Sequence, residues 1–328
     1  MGYPKVLLTR KVPEQAMTLL HSRCELTLWD GDRAVPRDWL LEHISDAEGL
    51  YCLLTDPIDT EILQKASRLK VISTMAVGYD NIEVAECTRR GIPVGNTPGV
   101  LTQTTADFAI ALMMAAARRI VEGAVYVRSG EWQTWSPTLF LGQDMHEATL
   151  GIIGFGRIGQ AVARRAVGFD MKVLVNGSPR RPHQEGSHDV TVKHVDLPTL
   201  LAQSDFVTLH VPLTQETNHL IGARELSLMK RTAVLINTAR GPVVDSQALY
   251  QALSQGRIAY AALDVTDPEP VMTDDPLLTL SNCLIVPHIA SASVATRNKM
   301  ALMAAENLFA GLKGRPLPHC VNPEVYRR

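Results

Sequence analysis

Three polar residues of this 328-residue chain stand at the ends of apolar runs, where strands should stop. Arg240 follows Leu235-Ile236-Asn237-Thr238-Ala239. Glu269 sits in Asp267-Pro268-Glu269-Pro270, just after a run ending at Val265. His288 closes Cys283-Leu284-Ile285-Val286-Pro287-His288. Open α/β sheets place ligands at the carboxyl ends of their strands, so the three are read together. Histidine is the usual proton donor near neutral pH. A carboxylate bonded to an imidazole favours its charged form and fixes its orientation. A guanidinium grips a carboxylate through paired hydrogen bonds. The set suits hydride transfer to the carbonyl of a 2-oxo acid, the histidine protonating the nascent alkoxide. Taken singly, each has a plainer reading: a satisfied strand-end histidine, a surface arginine, an acid in a proline-fixed turn.

Such a hydride needs a carrier, and the chain holds a site for one. Thr149-Leu150-Gly151-Ile152-Ile153 predicts a short strand. Gly154-Phe155-Gly156-Arg157-Ile158-Gly159 follows and opens a helix, and Lys172-Val173-Leu174-Val175 supplies a second strand. This is G-x-G-x-x-G in a βαβ context. Gly154 permits the tight turn, Gly156 lets the backbone approach a pyrophosphate, and Gly159 lets the helix pack on the strand. The helix start at Arg157 and Ile158 then turns its N–H groups toward the phosphates. An acid about twenty residues on would bond a ribose 2′-OH. Here the strand ends Asn176-Gly177-Ser178-Pro179-Arg180-Arg181, without one. Asn176 and Ser178 can donate hydrogen bonds, and Arg180 or Arg181 matches a 2′-phosphate. NADP(H) is the expected cofactor and NAD(H) the alternative. A solvated basic loop is the plainer reading of the arginines.

These groups need elements to hold them. Strands are predicted at 6–9, 25–29, 49–54, 71–74 and 92–96, alternating with helices at 13–23, 38–44 and 60–66. Beyond the glycine turn, 206–210, 233–237, 261–265 and 283–288 are near-continuous apolar runs, as buried parallel strands should be. The expectation is an α/β chain with two doubly wound, Rossmann-like parallel sheets. A long helix is expected over 104–119, capped by Thr102 or Thr104 and with Asp107 in its first turn. A last helix over 294–312 should cross back to the first block. Residues 130–145 read as irregular and carry Trp132, Trp135 and Phe140, aromatic surface that needs cover. A second subunit is the first candidate, and packing on its own domain the plainer one. His210 reads as cofactor-loop structure, and His183, His188 and His194 as a polar loop.

A net charge of −2 gives no footing for nucleic acid or an anionic membrane. Five scattered cysteines without C-x-x-C spacing fit reduced thiols in the cytoplasm better than a disulfide framework. No metal-ligand spacing such as H-E-x-x-H occurs, so no metal is expected. The apolar run near Met1 is too short for a signal peptide, and 108–117 is too short to span a bilayer.

Leu150 to Gly159, Leu235 to Gly241, Leu263-Asp264-Val265 through Glu269-Pro270, and Pro287-His288-Ile289-Ala290-Ser291 together resemble the D-isomer-specific 2-hydroxyacid dehydrogenases over essentially the whole chain. Val71 to Asp80 and Asn96 to Thr102 look like the glyoxylate/hydroxypyruvate reductases within that family. The resemblance implies a split substrate domain, 1–100 with 292–328, and an inserted dinucleotide domain, 101–291. It implies that His288 is the acid/base, Glu269 its partner and Arg240 the clamp on carboxylate and carbonyl. Backbone N–H groups at Val77 and Gly78 would hold the substrate carboxylate. Thr105 and Asp264 would lie at the nicotinamide end, with Pro212 and Thr238 among the cofactor contacts. A homodimer through the region after the long helix is implied too. Leu139, with Phe140 beside it, stands where vertebrate reductases send a tryptophan into the neighbouring subunit's site. The function so implied is NADPH-dependent reduction of glyoxylate and hydroxypyruvate. A 2-ketogluconate or broad 2-oxo acid reductase is the near rival. A dinucleotide-sensing binding protein, like the C-terminal-binding corepressors, is the rival of another class.

Overall fold

The computed structural model describes residues 2–177 and 190–327. The chain divides into two compact units, Met1–Leu101 with Ala292–Arg328, and Thr102–Ser291. In chain order the first unit holds β1 (Lys5–Leu8), α1 (Glu14–His21), β2 (Glu25–Leu28), α2 (Arg37–His43), β3 (Gly49–Cys52), α3 (Thr60–Lys65), β4 (Val71–Thr74), α4 (Val84–Arg89) and β5 (Val94–Gly95). The second holds α5 (Thr102–Ala117), α6 (Ile120–Arg128), β6 (Thr149–Ile153), α7 (Arg157–Ala166), β7 (Lys172–Asn176), β8 (Val192–His194), α8 (Leu197–Gln203), β9 (Phe206–Leu209), α9 (Ala223–Leu228), β10 (Val234–Asn237), α10 (Ser246–Ser254), β11 (Tyr260–Leu263) and β12 (Cys283–Ile285). α11 (Val294–Leu312) returns to the first unit.

The first sheet runs β2-β1-β3-β4-β5, all parallel. β3 and β4 are buried at every residue. That accounts for apolar runs without alternation: a sheet covered on both faces needs no polar side. α1 and α11 cover one face through Met17, Leu20, Met300 and Leu308, and α2, α3 and α4 cover the other through Leu40, Ile62 and Cys87. α11 is docked by polar bonds as well. Tyr51 Oη donates to the Ala301 carbonyl at 3.1 Å and Ser73 Oγ to that of Ala304 at 2.8 Å.

The second sheet has seven parallel strands in the order β12-β11-β10-β9-β6-β7-β8. α5 and α7 pack on one face through Ala109, Met113 and Val162, and α8, α9 and α10 on the other through Leu200, Leu226 and Leu249. The order reverses between β6 and β9, the switch point at which such folds bind ligands. The expected two-sheet α/β architecture is borne out.

Three local expectations change. The long helix begins at Thr102, so Thr104 lies within it. Asp107 reaches Arg165 on α7 at 2.6 Å, a helix-to-helix pair rather than a first-turn charge. The helix stops at Ala117 because Arg119 takes a left-handed φ of 51°, and the chain then starts α6 in a new direction.

Candidate active site

The glycine turn follows β6. Gly154 has φ of +93°, and a Cβ there would lie 2.6 Å from the His210 carbonyl carbon. Its N–H donates to the Asn176 carbonyl at 2.8 Å, binding the ends of β6 and β7. A Cβ at Gly159 would meet the Gly154 oxygen at 2.2 Å. α7 begins at Arg157 with Gly156 as the flanking residue, and a Cβ at Gly156 would meet nothing within 4 Å. Gly156 and Arg157 are exposed, so the positive end of the ten-residue helix lies at the surface. Bare backbone with room before it fits a pyrophosphate.

The other expected cofactor residues that the structure describes have mixed partners. The Asn176 amide donates to the Val195 carbonyl at 3.1 Å, tying down the sheet edge. His194 is on β8, edge-on to Phe155, rather than in a loop. The Pro212 carbonyl accepts from Thr217 at 2.6 Å, and Thr105 is buried within α5. Ser178, Arg180 and Arg181 lie outside the described residues, as do His183 and His188.

His288, Glu269 and Arg240 all belong to the second unit. His288 Nδ1 meets Glu269 Oε1 at 2.5 Å, both side chains about a quarter exposed, so the pair is reachable. His288 itself is strained. Its φ is +52°, a region that costs a non-glycine residue about 1–3 kcal/mol. Asp264 holds it there. The His288 N–H donates to the Asp264 carbonyl at 2.9 Å. The Asp264 carboxylate accepts from Ile289 N–H at 2.7 Å and Ala290 N–H at 2.9 Å. Burial pushes this carboxyl above the usual range, opposed by the two N–H bonds. The carbonyl and carboxylate of Asp264 thus serve the turn that carries His288, while its N–H donates to the Asn237 carbonyl at 2.9 Å.

Arg240 is set by a neighbour whose role the sequence did not disclose. Asn237 Oδ1 accepts from Ala239 N–H at 3.0 Å while Nδ2 donates to the Arg240 carbonyl at 2.9 Å. Gly241 then lets the chain pass the Glu269-bearing loop, since a Cβ there would sit 1.9 Å from the Thr266 oxygen. In the first unit, Val77 and Gly78 follow β4. The Asn96 amide donates to the Val77 carbonyl at 2.8 Å, and buried Asn307 on α11 donates to the Asn96 carbonyl at 2.9 Å. Both asparagines brace the Val77 loop.

A model of the D-isomer specific 2-hydroxyacid dehydrogenase NAD binding domain matches residues 110–290. A glyoxylate reductase of Korarchaeum cryptofilum is 52% identical over 325 residues, covering 99% of this chain and 97% of that protein. The chain belongs to the D-isomer-specific 2-hydroxyacid dehydrogenase family. Among solved structures, the TT0316 protein of Thermus thermophilus matches this dehydrogenase with a TM-score of 0.90 and 45% identity, covering 97% of this chain and 99% of that one. An NADPH-dependent glyoxylate/hydroxypyruvate reductase of Sinorhizobium meliloti, solved with NADP and malonate, matches with a TM-score of 0.84 and 30% identity, covering 100% and 99%. The protein is therefore an NAD(P)-dependent dehydrogenase of 2-hydroxy acids.

Elsewhere in the dehydrogenase, no group of three metal-ligating side chains occurs among the described residues. No described helix is long and apolar enough to cross a membrane. All five thiols are unpaired with one another, and burial pushes Cys87 and Cys283 up to about 12. Such thiols are inert at working pH.

Proposed function

We propose that this dehydrogenase reduces glyoxylate and hydroxypyruvate, giving glycolate and D-glycerate, with NADPH as the preferred cofactor. The observation that carries the reading is the 2.5 Å contact of His288 with Glu269, in the same unit as the glycine crest. The names of its relatives support the choice of substrate. Gly154, Gly156 and the start of α7 would hold the nicotinamide dinucleotide, which when bound would supply the hydride. His288 gives a proton to the carbonyl oxygen; we assign Nε2 because Nδ1 is engaged by Glu269. Glu269 orients the ring. Arg240 pairs with the carboxylate and the polarised oxygen. A panel of glyoxylate, hydroxypyruvate and 2-ketogluconate, each with NADPH and NADH, tests the reading. The first two should show the highest kcat/KM. A clear lead for 2-ketogluconate would overturn it.

The cofactor choice rests on the loop after Asn176. An acid there would repel a 2′-phosphate; Arg180 and Arg181 attract one. One charge-assisted pair is worth about 1.5–3 kcal/mol, or about one to two orders of magnitude in selectivity. Replacing both arginines by alanine should erode kcat/KM for NADPH and leave that for NADH nearly unchanged. Equal losses with both cofactors would show that this loop does not read the phosphate.

The homodimer is proposed through residues 123–145, extended by α6. α6 buries none of its residues, and Ile120, Val125, Val127, Trp132 and Leu141 are more than half exposed. Trp135 is 76% exposed. Phe140 is different: it packs edge-on to Tyr126 and under the Arg119 guanidinium, so its own unit covers it. Exposed apolar side chains in this number support an interface. Light scattering should report a dimer, and a monomer at micromolar concentration would contradict it. The unpaired thiols support a reducing, cytoplasmic setting.

A further inference from the structure

His210 is the first residue after β9 and stands at the switch point of the second sheet. Its backbone already serves the crest. The N–H donates to the Ile153 carbonyl at 2.8 Å, joining the ends of β6 and β9, and its carbonyl fills the space beside Gly154. The ring does something separate. Nε2 lies 3.0 Å from Thr208 Oγ1, on β9, and Nδ1 lies 3.5 Å from Thr238 Oγ1, just beyond β10. Burial pushes the imidazole down to about 3, so it is neutral at any working pH. A neutral ring has one N–H and one lone pair, and two hydroxyls can satisfy both whichever tautomer is present. It is no proton donor to substrate. Its partners fit a strut.

What the strut supports is informative. Thr208 is fully buried in mid-sheet, in register with Ile152 on β6 and Ile236 on β10. Thr238, at the edge of burial, is two residues from Arg240 and follows Asn237, which locks the Arg240 turn. One end of the ring therefore meets the core of β9 and the other meets Thr238, just beyond the end of β10.

We propose that His210 is a positioning residue for the dinucleotide, acting through Thr238: the ring ties the end of β10 to the core of β9 and so fixes the strand ends beside the switch point, where such folds bind ligands. This rests on dinucleotide binding at the glycine turn and not on the substrate proposed above. The test is direct binding, which needs no substrate, so a wrong substrate assignment leaves it intact. Reduced-nicotinamide fluorescence gives Kd for NADPH and NADH with the whole chain. His210→Phe keeps a flat ring and removes both hydrogen bonds. Kd should rise about five- to thirty-fold, the worth of one or two neutral hydrogen bonds. KM for the cofactor should follow Kd, with a smaller change in KM for the 2-oxo acid. Thr238→Val should raise Kd to a similar extent. The double variant should be no weaker than the weaker single one, because both delete the same link. A Kd within twofold of the parent for His210→Phe overturns the proposal, as do additive losses in the double variant. If His210→Phe does not fold, a Kd within twofold of the parent for Thr238→Val overturns it instead.

Discussion

His288→Asn should lower kcat by about two to four orders of magnitude, the usual worth of a general acid. Asparagine keeps an N–H donor and tolerates the left-handed backbone that His288 adopts, so the turn should survive. The Asp264 carboxylate still grips Ile289 and Ala290 from below. What is lost is a group that can give up a proton. With the cofactor on the glycine turn and α7, as proposed, Kd for NADPH should stay within a few-fold of the parent. The measurement is single-turnover oxidation of bound NADPH on mixing with glyoxylate, beside a fluorescence titration of the cofactor. A turnover number within a few-fold of wild type would remove His288 from the chemistry. A parallel collapse of cofactor binding would make it a structural residue.

Arg240→Lys should raise KM for glyoxylate and lower kcat, with kcat/KM falling by about ten- to a hundred-fold, the worth of a charge-assisted hydrogen bond. Lysine keeps the charge and loses the planar fork that pairs with a carboxylate in two directions. The guanidinium Nη1 donates to the Ala239 carbonyl at 2.8 Å, but the loop backbone has other braces. Asn237 holds it through Ala239 and Arg240 main-chain atoms, and Gly241 gives it passage beside Thr266. Steady-state kinetics with glyoxylate and with the cofactor varied separately tests this. An unchanged KM for glyoxylate would mean that Arg240 is structural.

The parts of this protein most legible in its sequence are those fixed by short-range pattern. The glycine turn needs glycines at fixed offsets, and its flanking strand and helix announce themselves by period. His288, Glu269 and Arg240 stand out because each polar residue interrupts or ends an apolar run, and the contact of the first two follows from their places on neighbouring strand ends. The bracing roles at the Arg240 and His288 turns, and separately at the Val77 loop, were silent. Asn237, Asp264, Asn96 and Asn307 work through bonds to backbone atoms, some far along the chain, as from Asn307 to Asn96, and no spacing rule encodes such partners. α6 was hidden for another reason. The break before it is a left-handed arginine, Arg119, where a glycine or proline would have marked the stop. β8 is a three-residue, largely exposed edge strand with no alternation to read, and only its pairing with β7 defines it.

One reaction tests the central claim most directly. The purified chain is mixed with NADPH and hydroxypyruvate, the loss of reduced nicotinamide is followed, and the product is resolved by chiral chromatography. The account predicts one D-glycerate formed for each NADPH consumed, and the same reaction abolished in His288→Asn. L-glycerate as the product, or no oxidation of either NADPH or NADH with hydroxypyruvate and glyoxylate, would contradict it.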